Sequence, residues 1–212
     1  MEWQGETVIR VLAADDHDIV RDGIASLIGT QSDMQLVAQA CDGREAVEQF
    51  RKHRPDVTLM DLQMPDMNGI DAINAIRSEF PEARIIVLTT YAGDAQVKRA
   101  LQAGAQGYLL KGLLRKELLD TIRAVHGGRK RLSPEIAAEI AEHAMDVALT
   151  PREVAVLKLI AEGNANKEIA AELHISEEGV KGSVKNILLK LGANDRAHAA
   201  IIGLKRGIIE LL

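Results

Sequence analysis

Val57-Thr58-Leu59-Met60-Asp61-Leu62-Gln63-Met64-Pro65-Asp66-Met67-Asn68-Gly69 joins an apolar, partly β-branched run to a carboxylate and then, at once, to a turn built of Pro, Asp, Asn and Gly. A run that is apolar at nearly every position reads as a strand buried on both faces, the habit of parallel sheets, and the turn residues stop it. Open α/β sheets gather their sites at the carboxyl ends of their strands, which is where this pattern puts Asp61.

The flanking sequence repeats the same strand-then-helix alternation. Strands are expected over Val8–Ala14, Met34–Ala40, Val57–Met60, Arg84–Leu88 and Gly107–Leu110. Helices are expected over Ile19–Ile28, Gly43–His53, about Gly69–Phe80, Asp94–Ala103 and Arg115–His126. Five such repeats imply a parallel sheet with right-handed crossovers and helices on both faces, a flavodoxin-like doubly wound (βα)5 domain. In that topology the ends of strands one, three, four and five meet at one edge. The residues standing there are Asp15 and Asp16, Asp61, Thr89 and Lys111.

These residue types make one coherent chemistry. Three clustered carboxylates repel one another unless a cation joins them, and oxygen-only ligands with room for water suit Mg²⁺ (or Mn²⁺). A carboxylate beside such a cation can attack phosphorus. The metal and a lysine would neutralise the transferring oxygens, and a threonine hydroxyl can donate to one of them. Taken singly, each feature has a plainer explanation: an Asp pair as a solvated turn, Lys111 as surface, Tyr108 as an ordinary half-buried tyrosine.

At these residues the chain resembles the receiver domain of bacterial two-component response regulators, over residues 8–125. The pieces that carry the likeness are Asp15-Asp16, the run Asp61 to Gly69, Thr89, and Gly107-Tyr108-Leu109-Leu110-Lys111. The resemblance implies Asp61 as phosphoacceptor, with Mg²⁺ held by Asp16, Asp61 and the Gln63 carbonyl, and by Asp15 through water. It implies Thr89 and Lys111 as sensors of the phosphoryl group and Tyr108 as an aromatic switch that turns inward. Phosphatases with an Asp-x-Asp nucleophile strand are the neighbouring enzyme class, and Gln63 at the second position counts against them. Gly112 and Thr90 depart from the residues usual after the lysine and the threonine. Gln63 and Tyr91 occupy the places that in this family tune loss of the phosphoryl group.

After His126-Gly127-Gly128 the pattern changes. Arg129-Lys130-Arg131 looks like the start of a linker, and Ser133-Pro134 provides a cap and an N1 proline for a short helix running to about Met145. Leu149-Thr150-Pro151-Arg152-Glu153 has capping-box spacing and opens a longer helix through Val154, Leu157 and Ile160 to Gly163. A short helix, Asn166–Leu173, a turn at His174-Ile175 and a third helix capped by Ser176 form a helix-turn-helix. A fourth helix is expected over about Asp195–Arg206. In the third, Val180, Val184, Ile187 and Leu191 share one face. The rest of its surface holds Lys181, Gly182, Lys185, Asn186 and Lys190, and no acid from Gly179 to Leu191. That local bias suits a helix in the major groove of DNA.

Residues 149–209 resemble the LuxR-type C-terminal domain of the NarL/FixJ response regulators. Leu149 to Glu153, Gly163, Asn166 to Ala170, Leu173, Ile175-Ser176, Val180-Lys181, Lys190-Leu191 and Arg196 carry the likeness. It implies Lys181 and Lys185 on phosphates or base edges, with Lys167, Ser183, Asn186 and Lys190 in the same interface. Ser183 replaces a usual histidine, Gly179 a usual threonine and Ala165 a usual serine or threonine. Two glycines in the reading helix each cost it about 1 kcal/mol against alanine.

Composition fits this division. Aromatics are 2% of the chain, too few for stacking platforms on single-stranded nucleic acid. The net charge of −5 arises in the first 125 residues, while residues 150–212 are close to neutral. One cysteine, Cys41, forms no internal disulfide and fits a reducing compartment. The acidic start is not that of a signal peptide, and no apolar run reaches the length of a membrane span. The six histidines show no ligand spacing, so no zinc site is expected.

The expected organisation is therefore a receiver over 7–126, a linker with a short helix over 127–148, and an all-α four-helix helix-turn-helix domain over 149–212. The expected function is a cytoplasmic transcriptional regulator without substrate turnover, beyond catalysis of its own phosphorylation and dephosphorylation. A sensor histidine kinase would phosphorylate it on Asp61, and it would bind double-stranded promoter DNA as a homodimer, with no membrane. Two other classes fit less of the chain: a phosphorylation-independent protein-binding adaptor, and an aspartate-nucleophile phosphatase.

Overall fold

The computed structural model describes residues 8–90 and 93–209, the side chain of Lys116 excepted. The expected domain start at residue 7 lies outside the described residues, as do Tyr91 and the last three positions. The described chain forms two units, one built on a sheet and one of helices; the main division falls within a helix, between Ala137 and Ala138, and residues 93–96 group with the second unit.

In the first unit β1 (Ile9–Ala14), α1 (Asp18–Gly29), β2 (Met34–Ala40), α2 (Gly43–His53), β3 (Val57–Asp61) and α3 (Gly69–Glu79) alternate as the sequence predicts. They are followed by β4 (Ile85–Thr89), α4 (Asp94–Gln102), β5 (Gly107–Leu110), a 3-10 turn (Lys111–Leu113) and α5 (Leu114–His126). The strand order is β2-β1-β3-β4-β5-β6, parallel throughout. This is the flavodoxin-like order with one addition. Arg131–Leu132, read above as linker, is β6, which pairs with β5 in the register Gly107↔Arg131 and Tyr108↔Leu132. The turn that permits it has Gly128 at φ 79°, a left-handed conformation glycine adopts without strain.

Every residue of β3 and of β4 is buried, as an apolar run between two helical layers must be. One core layer packs Val11, Ala13, Leu59, Ile86, Leu88 and Leu109 of the sheet against Ile24 and Ile28 of α1 and Leu118, Ile122 and Val125 of α5. Each of these larger side chains contributes about 1.5–3 kcal/mol by leaving water, which fixes the strands and hence the residues at their ends.

After α6 (Pro134–Glu142) the second unit runs through α7 (Pro151–Ala161), α8 (Asn166–Glu172), α9 (Glu177–Leu191) and α10 (Arg196–Lys205). Thr150 caps α7 by the predicted capping box: its hydroxyl accepts from Glu153 N, and the Glu153 carboxylate accepts from Thr150 N. Ser176 caps α9 by accepting from Gly179 N, and Gly192 ends it at φ 61°. The predicted apolar face of α9 is the one buried. Val180 and Ile187 sit in a core with Val156, Leu157, Ile160, Ile169 and Ala199, and Val184 and Leu191 pack against it.

Candidate functional site

Asp61 is the last residue of β3 and is 2% exposed. The chain must leave it through a very tight turn. A Cβ on Gly69 would lie 1.9 Å from the Asp61 carbonyl oxygen, so no other residue fits there without moving the backbone under Asp61. Gly69 N donates to Leu62 O, and Asn68 caps α3 by accepting from Asp71 N. The Pro, Asp, Asn and Gly cluster thus folds the strand directly into a helix.

Asp15 follows β1 at the same edge, fully buried. One of its carboxylate oxygens, Oδ1, accepts from His17 N at 3.0 Å. Lys111, which opens the 3-10 turn after β5, reaches both acids: its Nζ lies 2.9 Å from Asp61 Oδ2 and 2.8 Å from Asp15 Oδ2. The contact with Asp61 is the better aligned hydrogen bond, and that with Asp15 is a close ion pair. Asp16 is exposed and completes the acidic group. Ligand atoms from Asp15, Asp16, His17 and Asp61 all lie within 4.8 Å of one another.

The electrostatics follow from one ammonium serving two buried carboxylates. Burial pushes the Asp61 carboxyl up, and the Asp15 charge adds to this. The Lys111 bond and the Gln63 backbone pull it down without offsetting the rise. Burial also works against the Lys111 ammonium, but its contacts with Asp15 and Asp61 outweigh that and hold it above its ordinary value. Lysine gains from two anions, whereas each acid has only a share of one cation.

The other predicted members are placed by the sheet. Thr89 ends β4, buried, in register with Leu110, and Tyr108 lies within β5 with no exposure at all. The ring expected to turn inward is already inside. Gln63 is exposed in the loop after Asp61. His17 is the residue the sequence reading passed over. It is the N-terminal cap of α1, and its Nδ1 stands 2.6 Å from Asp16 Oδ1 and 3.3 Å from Asp15 Oδ1. Its adjacency to Asp15-Asp16 was the available signal, but spacing rules for metal ligands look for separated residues.

In the second unit Lys167, Lys181, Lys185 and Asn186 are exposed. Lys181 is paired with Glu178 at 3.1 Å on the surface, a bond of small value in water. Two expected DNA contacts are otherwise engaged. Ser183 is buried and its hydroxyl donates to Gly179 O at 3.0 Å, the back-bond that hydroxyl residues make within helices. Lys190 donates to Glu153 Oε2 at 2.7 Å and to Ala148 O at 3.2 Å, so it ties α9 to the start of α7. Burial pushes the Glu153 carboxyl up, but the Lys190 and Thr150 bonds prevail and hold it below its ordinary value. The sequence placed Lys190 on the solvent side of α9 because a helical wheel does not see the neighbouring helix.

Among the described residues no helix is long and apolar enough to cross a membrane. Residues 11–123 match the response regulator receiver domain, and residues 147–202 match the luxR family of bacterial regulatory proteins. The response regulator protein VraR of Staphylococcus aureus is 38% identical over 207 residues, 95% of this chain and 99% of VraR. The crystal structure of a LuxR-family two-component response regulator from Aurantimonas sp. is 40% identical with a TM-score of 0.63, over 66% of this chain and 99% of that one. The response regulator RcsB in its complex with DNA has a TM-score of 0.71 and 27% identity, over 93% of this chain and 98% of RcsB. With a receiver match and a luxR-family match in one chain, and a relative 38% identical along 95% of it, the chain belongs to the LuxR-type response regulators, the phosphorylation-controlled transcription regulators of two-component systems.

Proposed function

We propose that Asp61 is the phosphoacceptor, that a divalent cation assists it, and that the helix α9 reads double-stranded promoter DNA. The observation that carries this is the joint burial of Asp61 and Asp15 around one ammonium, with an exposed acid beside them. Three carboxylates so close, with one ammonium shared between two of them, keep an excess of negative charge that a divalent cation would offset. Hard oxygen donors with one open side suit Mg²⁺ or Mn²⁺, with Asp15, Asp16, Asp61 and the Gln63 carbonyl to hold it. Bound there, the cation supplies charge neutralisation for the phosphoryl oxygens.

The remaining chemistry belongs to the chain. A sensor histidine kinase presents a phosphohistidine; an Asp61 carboxylate oxygen attacks phosphorus, the P–O bond forms and the P–N bond breaks, and the imidazole leaves with a proton. Lys111, already beside Asp61, turns its ammonium to the new phosphoryl oxygens, and Thr89 supplies a hydroxyl from the next strand end. Thr89, Lys111 and Tyr108 then bias a two-state arrangement of β4 and β5. The same site catalyses its own dephosphorylation by water, and no other substrate is turned over.

For the DNA side, Lys167, Lys181, Lys185 and Asn186 are the exposed set on and beside α9. Lys190 and Ser183 act by positioning that helix. Phosphorylation favours a homodimer that reads two half-sites about one DNA turn apart, in the cytoplasm. The functional divisions are residues 7–126 for the receiver, 127–148 for the joint and 149–212 for the reader. The test is phosphoryl incorporation from an acyl phosphate with Mg²⁺, read by intact mass. Wild type gains one phosphoryl group and Asp61→Asn gains none; equal gain by the variant refutes the assignment.

A further inference from the structure

The reading helix carries two glycines on the surfaces its core does not use. A Cβ on Gly182 would meet nothing within 4 Å. A Cβ on Gly179 would lie 3.1 Å from Arg152 Nη2 and 3.3 Å from Ser176 Oγ. The Arg152 guanidinium, projecting from the first turn of α7, therefore rests on bare helix backbone, in the space a side chain at 179 would claim. Arg152, Gly179, Gly182, Ser183 and Asn186 line an open groove of about 410 Å³ there, with Thr150 and Glu153 at its end.

Of the groove's other polar groups only the exposed Asn186 makes no side-chain bond among the described residues. Thr150 and Glu153 form the cap of α7, Glu153 also holds Lys190, and Ser183 bonds to Gly179 O. Arg152 is exposed, and among the described residues it makes no ion pair. An exposed guanidinium whose five donors no carboxylate claims is a phosphate ligand by chemistry. It flanks α9 on the side of Gly179 and Asn186, while Lys181 and Lys185 lie toward the opposite side, so the helix has cations along both edges of its outer surface.

We propose that Arg152, seated in the notch left by Gly179, contacts the DNA backbone, and that Gly179 acts as the positioning residue which admits it. The proposal rests on the reading of α9 as the DNA-reading helix. It also gives Gly179 a purpose. Gly179 lowers the helix propensity of α9 and removes a side chain, and the notch it leaves brings in a cation from a neighbouring helix instead.

The test uses the full chain and a fluorescent mixed-sequence duplex, with binding followed by anisotropy across a salt series. Arg152→Ala is expected to weaken binding several-fold and to reduce the slope of log K against log salt by about 0.9, the value of one released counterion. Arg152→Lys restores the slope. Gly179→Thr fills the notch and weakens binding to the same degree, and Arg152→Ala with Gly179→Thr is no weaker than either alone, because both remove one contact. Wild-type slope and affinity in Arg152→Ala, beside a loss in Lys185→Ala, overturn the proposal and leave the DNA reading standing. Additive losses in the double variant overturn the role given to Gly179. If neither Lys181→Ala nor Lys185→Ala changes binding, the reading of α9 falls and the proposal with it. Arg152 and Gly179 lie at the surface, and far-UV circular dichroism checks that each variant is folded.

Discussion

Removing the ammonium of Lys111 has a size and a pH dependence that follow from three side chains. Its Nζ lies 2.8 Å from Asp15 Oδ2 and 2.9 Å from Asp61 Oδ2, and the side chains of the three are 10%, 0% and 4% exposed. At an effective dielectric constant of about 20 each contact is worth about 6 kcal/mol of Coulomb energy, most of it offset by the desolvation of the charges. Lys111→Met keeps the length of the side chain but leaves two carboxylates facing each other within 4.8 Å. Leaving a buried charge uncompensated costs about 3–5 kcal/mol, and the open side at Asp16 puts the expected loss near the lower figure, about 3 kcal/mol at neutral pH without divalent metal.

The direction with pH distinguishes this cause from lost packing. In the variant at least one acid has a folded pKa above its unfolded value of about 3.9. The penalty is therefore full above the folded pKa and vanishes as pH falls toward the unfolded one, where a proton takes the place of the ammonium. Urea unfolding gives the total, and hydrogen exchange at the amides of β1 and β3 localises it to the sheet. Adding Asp61→Asn to Lys111→Met should recover at least half of the loss, because a single buried anion remains, and Mg²⁺ should recover part of it. A Lys111→Met protein within 1 kcal/mol of wild type at neutral pH without metal, or one that Asp61→Asn does not rescue, refutes this account of the site.

Gly69→Ala forces the backbone at Asp61, because the added Cβ would lie 1.9 Å from the Asp61 carbonyl; it should cost more than about 2 kcal/mol in urea unfolding and abolish phosphoryl incorporation by intact mass. Glu153→Gln retains the cap but weakens the bond to Lys190, and should lower the stability of the helical unit by about 2 kcal/mol, read by hydrogen exchange in α7 and α9. Because the folded pKa of Glu153 lies below the 4.5 of the free group, the wild-type advantage is complete above about 4.5 and fades as pH falls through the folded value. Lys190→Ala should destabilise the same unit and lose DNA affinity in step with its unfolding, whereas Lys185→Ala should lose affinity, with a salt slope about 0.9 smaller, at unchanged stability.

The sheet and its acidic edge were legible because parallel strands buried on both faces must be apolar runs, and the residue that ends such a run is conspicuous when it is Asp61, Thr89 or Lys111. The capping box of α7 and the apolar face of α9 were legible for the same local reason. What escaped depends on approach between elements distant in sequence. Lys190 meets Glu153 across 37 positions, Arg152 meets Gly179 across the same two helices, and neither contact leaves a periodic trace. The strand β6 escaped because two residues are too few for a pattern, and their pairing is set by Gln106 O accepting from Arg131 N. His17 escaped through the opposite failing: it is so close to Asp15 and Asp16 that it looked like part of a turn.

The electrostatic arrangement also bears on how a phosphoryl group could do work here. A ligand or modification shifts a two-state element only by its differential free energy for the two states. A site in which every charge was already satisfied would offer little difference. This one holds Asp61 against its own preference: buried, next to Asp15, and sharing a single ammonium, so its carboxyl is raised while that of a relaxed surface acid is not. In the proposed reaction, converting that carboxylate to an acyl phosphate would move the negative charge outward from the strand end onto phosphoryl oxygens, where Lys111 could follow it. Lys111 starts the 3-10 turn directly after β5, and Tyr108 lies three residues before it inside the same strand. On the proposed phosphorylation, a shift of the ammonium would pass into β5, whose first three residues are buried, since packed cores pass displacement on instead of absorbing it. Asp61→Asn removes the stored repulsion without adding the outward charge, so it should be more stable than wild type in the absence of metal. A destabilised Asp61→Asn protein under those conditions would mean that Lys111 is held mainly by Asp61 and that the repulsion with Asp15 stores nothing.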